Sequence, residues 1–125
     1  MLKLMQGLPS DVLGIEATGK VTHEDYKNIL IPAAEAMMAA GPIKMLYVTN
    51  PTFSGYELEA LWDDGAFGIK HWHQFNRVAV ATDSPWLRAA ITMFCPFFPS
   101  EFQLFKLSEL DAAKVWITRK TKASG

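Results

Sequence analysis

Arg77-Val78-Ala79-Val80-Ala81-Thr82-Asp83-Ser84-Pro85-Trp86 is the stretch on which the fold turns. The run Val-Ala-Val-Ala offers no polar face, so a strand from Arg77 to Thr82 is covered on both sides and is not an edge. Such a strand belongs to a sheet carrying helices. Ser84-Pro85 then opens a helix. Serine is a favoured N-cap, and proline at the first helical position gives up an N–H that has no intrahelical partner anyway.

The same strand–helix unit recurs on either side. Upstream, Ile43 to Thr49 is a strand, followed by the loop Asn50-Pro51-Thr52-Phe53. Ser54 with Glu57 three residues on has the spacing of a capping box, so helix 2 is predicted to begin at Ser54. Its predicted buried face is Leu58, Leu61, Trp62, Gly65, Ile69 and Trp72. Further upstream, Thr22 and Asp25 form a capping-box-like pair at the start of helix 1. There Tyr26, Ile29, Leu30, Ala33 and Met37 make one apolar stripe. Pro32 lies inside this helix and is predicted to kink it, because it removes a backbone donor; Gly41-Pro42 ends it.

From Val12 to Lys20, Leu13, Ile15 and Ala17 alternate with Gly14, Glu16 and Thr18, the mark of a half-buried strand. A short strand from Leu2 to Gln6 joins it through the turn Gly7-Leu8-Pro9-Ser10-Asp11 as a hairpin. Downstream, helix 3 ends by Pro96, a strand covers about Phe102 to Leu107, and Ser108 with Asp111 is read as the cap of helix 4. The predicted order is β-β-α-β-α-β-α-β-α: a five-stranded, mostly parallel α/β sheet with four helices and its first strand antiparallel. No repeat, low-complexity tract or linker divides the 125 residues, so one domain is expected, with a frayed tail from Arg119.

Composition excludes whole classes of function. Half of the residues are hydrophobic, with eight Phe, four Trp and three Tyr, which excludes a disordered chain. A net charge of -1 and a pI near 6.3 lack the basic footprint of a nucleic-acid binder, so no nucleic-acid partner is expected. The single cysteine, Cys95, forms no internal disulfide and suits a reducing cytoplasm. No stretch approaches the ~20 apolar residues of a spanning helix, and the first residues are too short an apolar run for a signal sequence. The expected location is cytoplasmic, with peripheral attachment to a membrane left open.

The residues carry a family resemblance. Pro51-Thr-Phe-Ser-Gly-Tyr-Glu, Leu61-Trp62-Asp63-Asp64, His71-Trp72, Phe75, Arg77-Val78-Ala79-Val80, Thr82-Asp83 and Trp86 together resemble the bacterial SpoIIAA-like proteins. The resemblance covers roughly residues 8 to 117. It implies a STAS-like open β/α superhelix with sequential strand order, related in fold to the lipid-binding CRAL-TRIO domains. In anti-anti-sigma relatives a serine at the start of helix 2 is phosphorylated within Asp-Ser-Ser-Gly-Leu. With that glycine laid on Gly55, Phe53 stands at the phosphoacceptor position and Thr52 at the aspartate. Ser54 is the nearby hydroxyl, and the capping box already gives it a structural role.

Apparent catalytic and ligating patterns reduce to simpler readings. Gly14-Ile-Glu-Ala-Thr-Gly19-Lys20-Val21 approaches a phosphate-binding loop, but Val21 cannot ligate magnesium and the intervening residues alternate as a strand. His71 and His73 point apart on a helix, and His23 is remote in sequence, so no metal is expected. Asp63 and Asp64 are neighbours on a helix and face different directions. Cys95 sits in an apolar run, where a thiol acts as a small hydrophobe. No base–nucleophile pair is evident; neither an enzyme nor a cofactor is expected.

The segment from Pro85 to Phe98 is less easily explained. Trp86, Leu87, Ala90, Ile91, Met93 and Phe94 span an apolar arc of ~160°, wider than one sheet contact requires, and Phe97 and Phe98 extend it. Three uses are open: burial in the core, an apolar pocket or membrane contact, and a homodimer face. Ligands of open parallel sheets sit beyond the carboxyl ends of the strands. That edge combines Phe53, Tyr56, Trp86, Asn50 and Asp83, and the same ligand site is expected to draw in Met93 and Phe97. The expected function is non-enzymatic binding of a small apolar or lipid-like molecule, with membrane-surface contact and homodimerisation as accompanying uses. The alternative is an anti-anti-sigma-style regulatory module with Ser54 as phosphoacceptor.

Overall fold

The computed structural model describes residues 1–60, 66, 67, 70, 74–94, 96 and 101–119. A five-stranded sheet runs in the order β1 (Leu2–Leu4), β2 (Val12–Ala17), β4 (Ile43–Thr49), β6 (Phe75–Ala81) and β7 (Glu101–Phe105). β1 is antiparallel to β2, and every other pairing in this sheet is parallel. As the apolar stretch demands, β6 lies inside the sheet, between β4 and β7. The expected tail from Arg119 falls almost wholly outside the described residues.

Two cores follow from the alternation of side chains across the sheet. Leu13, Ile15, Tyr47, Val78 and Val80 face Tyr26, Leu30, Ala34 and Met38 of helix 1, Ala60 and Phe67 of helix 2, and Leu87 of helix 3. On the opposite face, Val12, Leu46, Val48, Ala79, Ala81 and Phe105 pack on Ala113 and Ile117 of helix 4 (Leu110–Thr118). β2 is therefore buried on both faces, not half-buried as its alternation suggested. The missing polar face has a reason: Met5 and Leu8, from the turn after β1, fold over Gly14. A Cβ on Gly14 would come within 2.9 Å of the Met5 Cβ, so the glycine makes room for this cover.

Helix 1 starts as the sequence indicates. The Thr22 hydroxyl accepts from the Asp25 N–H at 3.2 Å, and the Asp25 carboxylate accepts from the Thr22 N–H at 2.9 Å. Pro32 does not produce a simple kink. The helical residues run His23–Asp25, then a π turn over Tyr26–Leu30, then Ile31–Met38 with proline in the first turn of the last segment. Without the proline N–H, the chain widens to i→i+5 bonding, and the Ile31 N–H reaches the Tyr26 carbonyl. The wider turn takes in about one more residue, which rotates the deepest contacts to Ala34 and Met38 from the expected Ala33 and Met37.

Burial disfavours the charged form of Asp25, but hydrogen bonds from the Thr22 backbone and hydroxyl outweigh it. With the N-terminal ammonium 3.4 Å away, they hold the carboxyl below its ordinary value. A carboxyl lowered in the fold stabilises the fold above its unfolded pKa of about 3.9 and loses that contribution as pH falls through the folded value. Urea unfolding of wild type and Asp25→Asn should show a stability gap that is constant above about pH 5 and closes as the pH falls below about 4. A gap that does not change with pH would remove Asp25 from this role.

Ser84 also caps its helix, its hydroxyl accepting from the Leu87 N–H at 3.4 Å, but the two remaining predicted caps are not formed. Gly55 and Tyr56 are a two-residue strand, β5, paired in parallel with β3 (Lys20–Val21), so Ser54 lies before a strand and helix 2 begins at Leu58. The Glu57 carboxylate instead accepts from the His23 N–H at 3.0 Å, satisfying an orphan donor of helix 1. Leu58, expected on the buried face, is 74% exposed, while Ala60 and Phe67 are buried. Leu61, Trp62, Gly65, Ile69 and Trp72 lie outside the described residues. At helix 4, a 3-10 turn over Leu107–Glu109 replaces the expected Ser108–Asp111 cap, with the Glu109 carboxylate accepting from the Lys106 N–H at 2.8 Å.

Two buried cations close the far end of helix 4. Lys44 and Arg77, each 6% exposed, rise from β4 and β6 on the helix 4 face. Lys44 Nζ donates to the Arg119 carbonyl at 3.3 Å, and Arg77 Nη1 donates to the carbonyls of Trp116 and Arg119 at 3.2 and 3.0 Å. The Trp116 carbonyl also accepts from the Arg119 N–H at 3.3 Å, and both carbonyls sit at the negative end of the helix dipole, where a cation is favoured.

Candidate functional site

At the carboxyl edge of the parallel strands, buried hydroxyls tie β4 to β6. Thr49 Oγ1 donates to Thr82 Oγ1 at 2.6 Å, and the Ser84 N–H donates to the same Thr82 oxygen at 3.1 Å. Arg88 reaches back from helix 3 (Pro85–Phe94) and donates to the carbonyls of Thr82 and Phe105 at 2.9 and 3.0 Å. The edge is thereby fixed before any side chain is added to it.

On this frame stands an aromatic row. Phe53 meets Tyr56 edge-on at 5.3 Å between ring centroids, and Tyr56 meets the Trp86 ring at 6.0 Å. The Tyr56 hydroxyl donates to that of Tyr47, a buried residue of β4, at 2.8 Å, which pins the middle ring. Tyr56 is half-buried, while Trp86 stays 53% exposed at the end of the row. Phe53, Tyr56 and Trp86 line a depression of about 480 Å³ together with Lys20, Ser54, Gly55 and Ser84.

The small β3–β5 ladder builds one wall of this depression. Lys20 pairs with Gly55 and Val21 with Tyr56, and the Ser54 N–H donates to the Gly19 carbonyl at 2.8 Å. Gly19 and Gly55 both have positive φ, 56° and 125°, conformations that side-chain-bearing residues rarely adopt. Lys20, Gly55 and Ser84 are lining residues that the sequence alone did not single out. The signal for Lys20 lies in Gly19-Lys20, a cation beside a left-handed glycine where the second strand ends.

Asn50 and Asp83 lie to one side. With Phe53 and Ser84 they line a neighbouring depression of about 430 Å³. Both are already engaged: the Asn50 amide donates to Glu16 at 3.1 Å and accepts from the Thr52 N–H and hydroxyl at 3.0 Å, while the Asp83 carboxylate accepts from the Leu107 N–H at 3.1 Å. Met93, 66% exposed, lines neither depression. It stands on helix 3 seven residues after Trp86, about two turns on along the same face. Core burial is therefore not the use of Trp86 or Met93. Phe97, Cys95, His71, His73, Asp63 and Asp64 lie outside the described residues. Among those described, no group of three His, Cys, Asp or Glu side chains is placed to hold a metal ion, and no helix is long and apolar enough to cross a membrane.

Fold and edge together define a small STAS-like domain, an open sequential sheet with an aromatic depression at its carboxyl edge. The chain belongs to the SpoIIAA-like family, whose model matches residues 12–118. Among solved structures it is similar to an uncharacterized protein of the DUF3478 family with a SpoIIAA-like fold from Shewanella loihica PV-4. The two share 30% sequence identity over 93% of each chain, with a TM-score of 0.74. A search of curated proteins finds no match.

Proposed function

We propose that this domain is a non-enzymatic binding module that holds a small apolar or lipid-like molecule in the depression between Phe53, Tyr56 and Trp86. The observation that carries this reading is Trp86: a large aromatic ring half open to solvent, yet seated in a row of rings whose middle member is hydrogen-bonded to the core. An apolar floor with a few polar groups around it, at about 480 Å³, is the form and size of a small-ligand site. The exposed Met93 continues the apolar surface along helix 3 and would meet a membrane or a second copy when the module docks. Such a module works in the cytoplasm, at or near the membrane surface.

The test is native mass spectrometry of protein purified gently from bacterial cells. A stoichiometric adduct of a few hundred daltons, the range of drug-sized and lipid-sized molecules, is expected. A ligand-free dimer would assign the aromatic face to self-association and end the pocket reading.

One observation favours the regulatory alternative more than the sequence did. Ser54 is no helix cap, it is exposed, and its hydroxyl has no hydrogen-bond partner among the described residues. Its structural role is thus removed, leaving a serine open to a kinase. A mass gain of one phosphoryl group located on Ser54 in the same preparation would support that reading.

A further inference from the structure

Among the described residues, the depression is lined by one charged side chain, Lys20, whose ammonium has no ion pair or hydrogen bond there. Three acids of the same sheet edge are directed to backbone groups and not to this lysine. The carboxylates of Asp25, Glu57 and Asp83 accept backbone N–H groups of Thr22, His23 and Leu107. Ser54 and Ser84 add two hydroxyls to the lining. A cation and hydroxyls beside three rings complement an amphiphile with a negative head, and would repel a cationic one.

We propose that the ligand is an anionic amphiphile whose acyl or aryl portion lies along Phe53, Tyr56 and Trp86 while its carboxylate or equivalent head meets Lys20. The proposal deepens the pocket reading and rests on it. Because Lys20 is exposed, the head group sets selectivity more than affinity, with an ionic preference of about five-fold. The small cost of desolvating an exposed pair also makes the preference sensitive to salt.

Calorimetric titration of the full chain with octanoate and with 1-octanol tests it, on wild type and on Lys20→Met, which keeps most of the side-chain stem. Octanoate should bind about five-fold tighter than octanol to wild type, and the two should become equal on the variant. Added salt should weaken octanoate alone. Sedimentation with phosphatidylglycerol vesicles separates the sources of the head group: pelleting that depends on Lys20 supports a bilayer lipid, and its absence beside octanoate binding supports a free acid. Equal affinity of octanoate and octanol for wild type would overturn the head-group proposal and leave the apolar pocket standing. Failure of both titrants and of the vesicles would remove the pocket as well.

Discussion

Arg77→Ala is expected to lower the free energy of unfolding by about 3 to 5 kcal/mol, the range for breaking a buried charged network from one side. The guanidinium is buried beneath helix 4 and donates to two of that helix's last carbonyls. Its carbon also lies 5.3 Å from the centre of the Trp116 ring. Alanine removes both charge-assisted hydrogen bonds and leaves a cavity, with the Trp116 carbonyl keeping only the Arg119 N–H and the Arg119 carbonyl only Lys44. The ion pair with Glu101, 3.6 Å from Nε, adds little because Glu101 is 63% exposed. Arg77→Met, which retains most of the packed stem, should cost clearly less than alanine, and urea unfolding of both variants reads the difference. A loss under about 1 kcal/mol for alanine would mean that helix 4 holds its end without this contact.

The other large effect falls on binding. Trp86→Ser should weaken uptake of the adduct molecule at least about ten-fold, because it strips one end of the aromatic row. The fold should survive: Trp86 is half exposed, and its ring contact with Tyr56 contributes about 1 kcal/mol. The adduct should therefore disappear from native mass spectra of a variant that still unfolds cooperatively. An adduct retained at wild-type occupancy would move the ligand away from helix 3.

Order and type of the main elements were legible because burial leaves a pattern in every one of them. Val-Ala-Val-Ala has no polar face, and β6 is inside the sheet. The error that matters most for the site comes from a local motif that another part of the chain had claimed. Ser54 and Glu57 have capping-box spacing, yet Glu57 serves the His23 N–H across the domain and residues 55 and 56 pair with Lys20 and Val21. A two-residue ladder has no periodicity to detect, so Lys20 read as the end of β2. Hence the aromatic lining of the depression, Phe53, Tyr56 and Trp86, is legible at the sheet edge, and Lys20 beside it is not. Asn50 and Asp83 do lie at that edge, and the turns around them use their polar groups, which a sequence pattern does not reveal.

Helix 4 follows every strand of the sheet in the chain, so Lys44 and Arg77 are synthesised before the helix whose end they hold. Until residues 110–118 have left the ribosome, the sheet face bearing Leu46, Val48, Ala79 and Ala81 has no helix to cover it. On that face Lys44 and Arg77 stand side by side at one end of the apolar runs Leu46-Val48 and Ala79-Ala81, so a nascent sheet presents like charges there to any other nascent sheet it meets. The same ammonium and guanidinium that later hold the helix end are thus expected to disfavour sheet-to-sheet association of the unfinished chain.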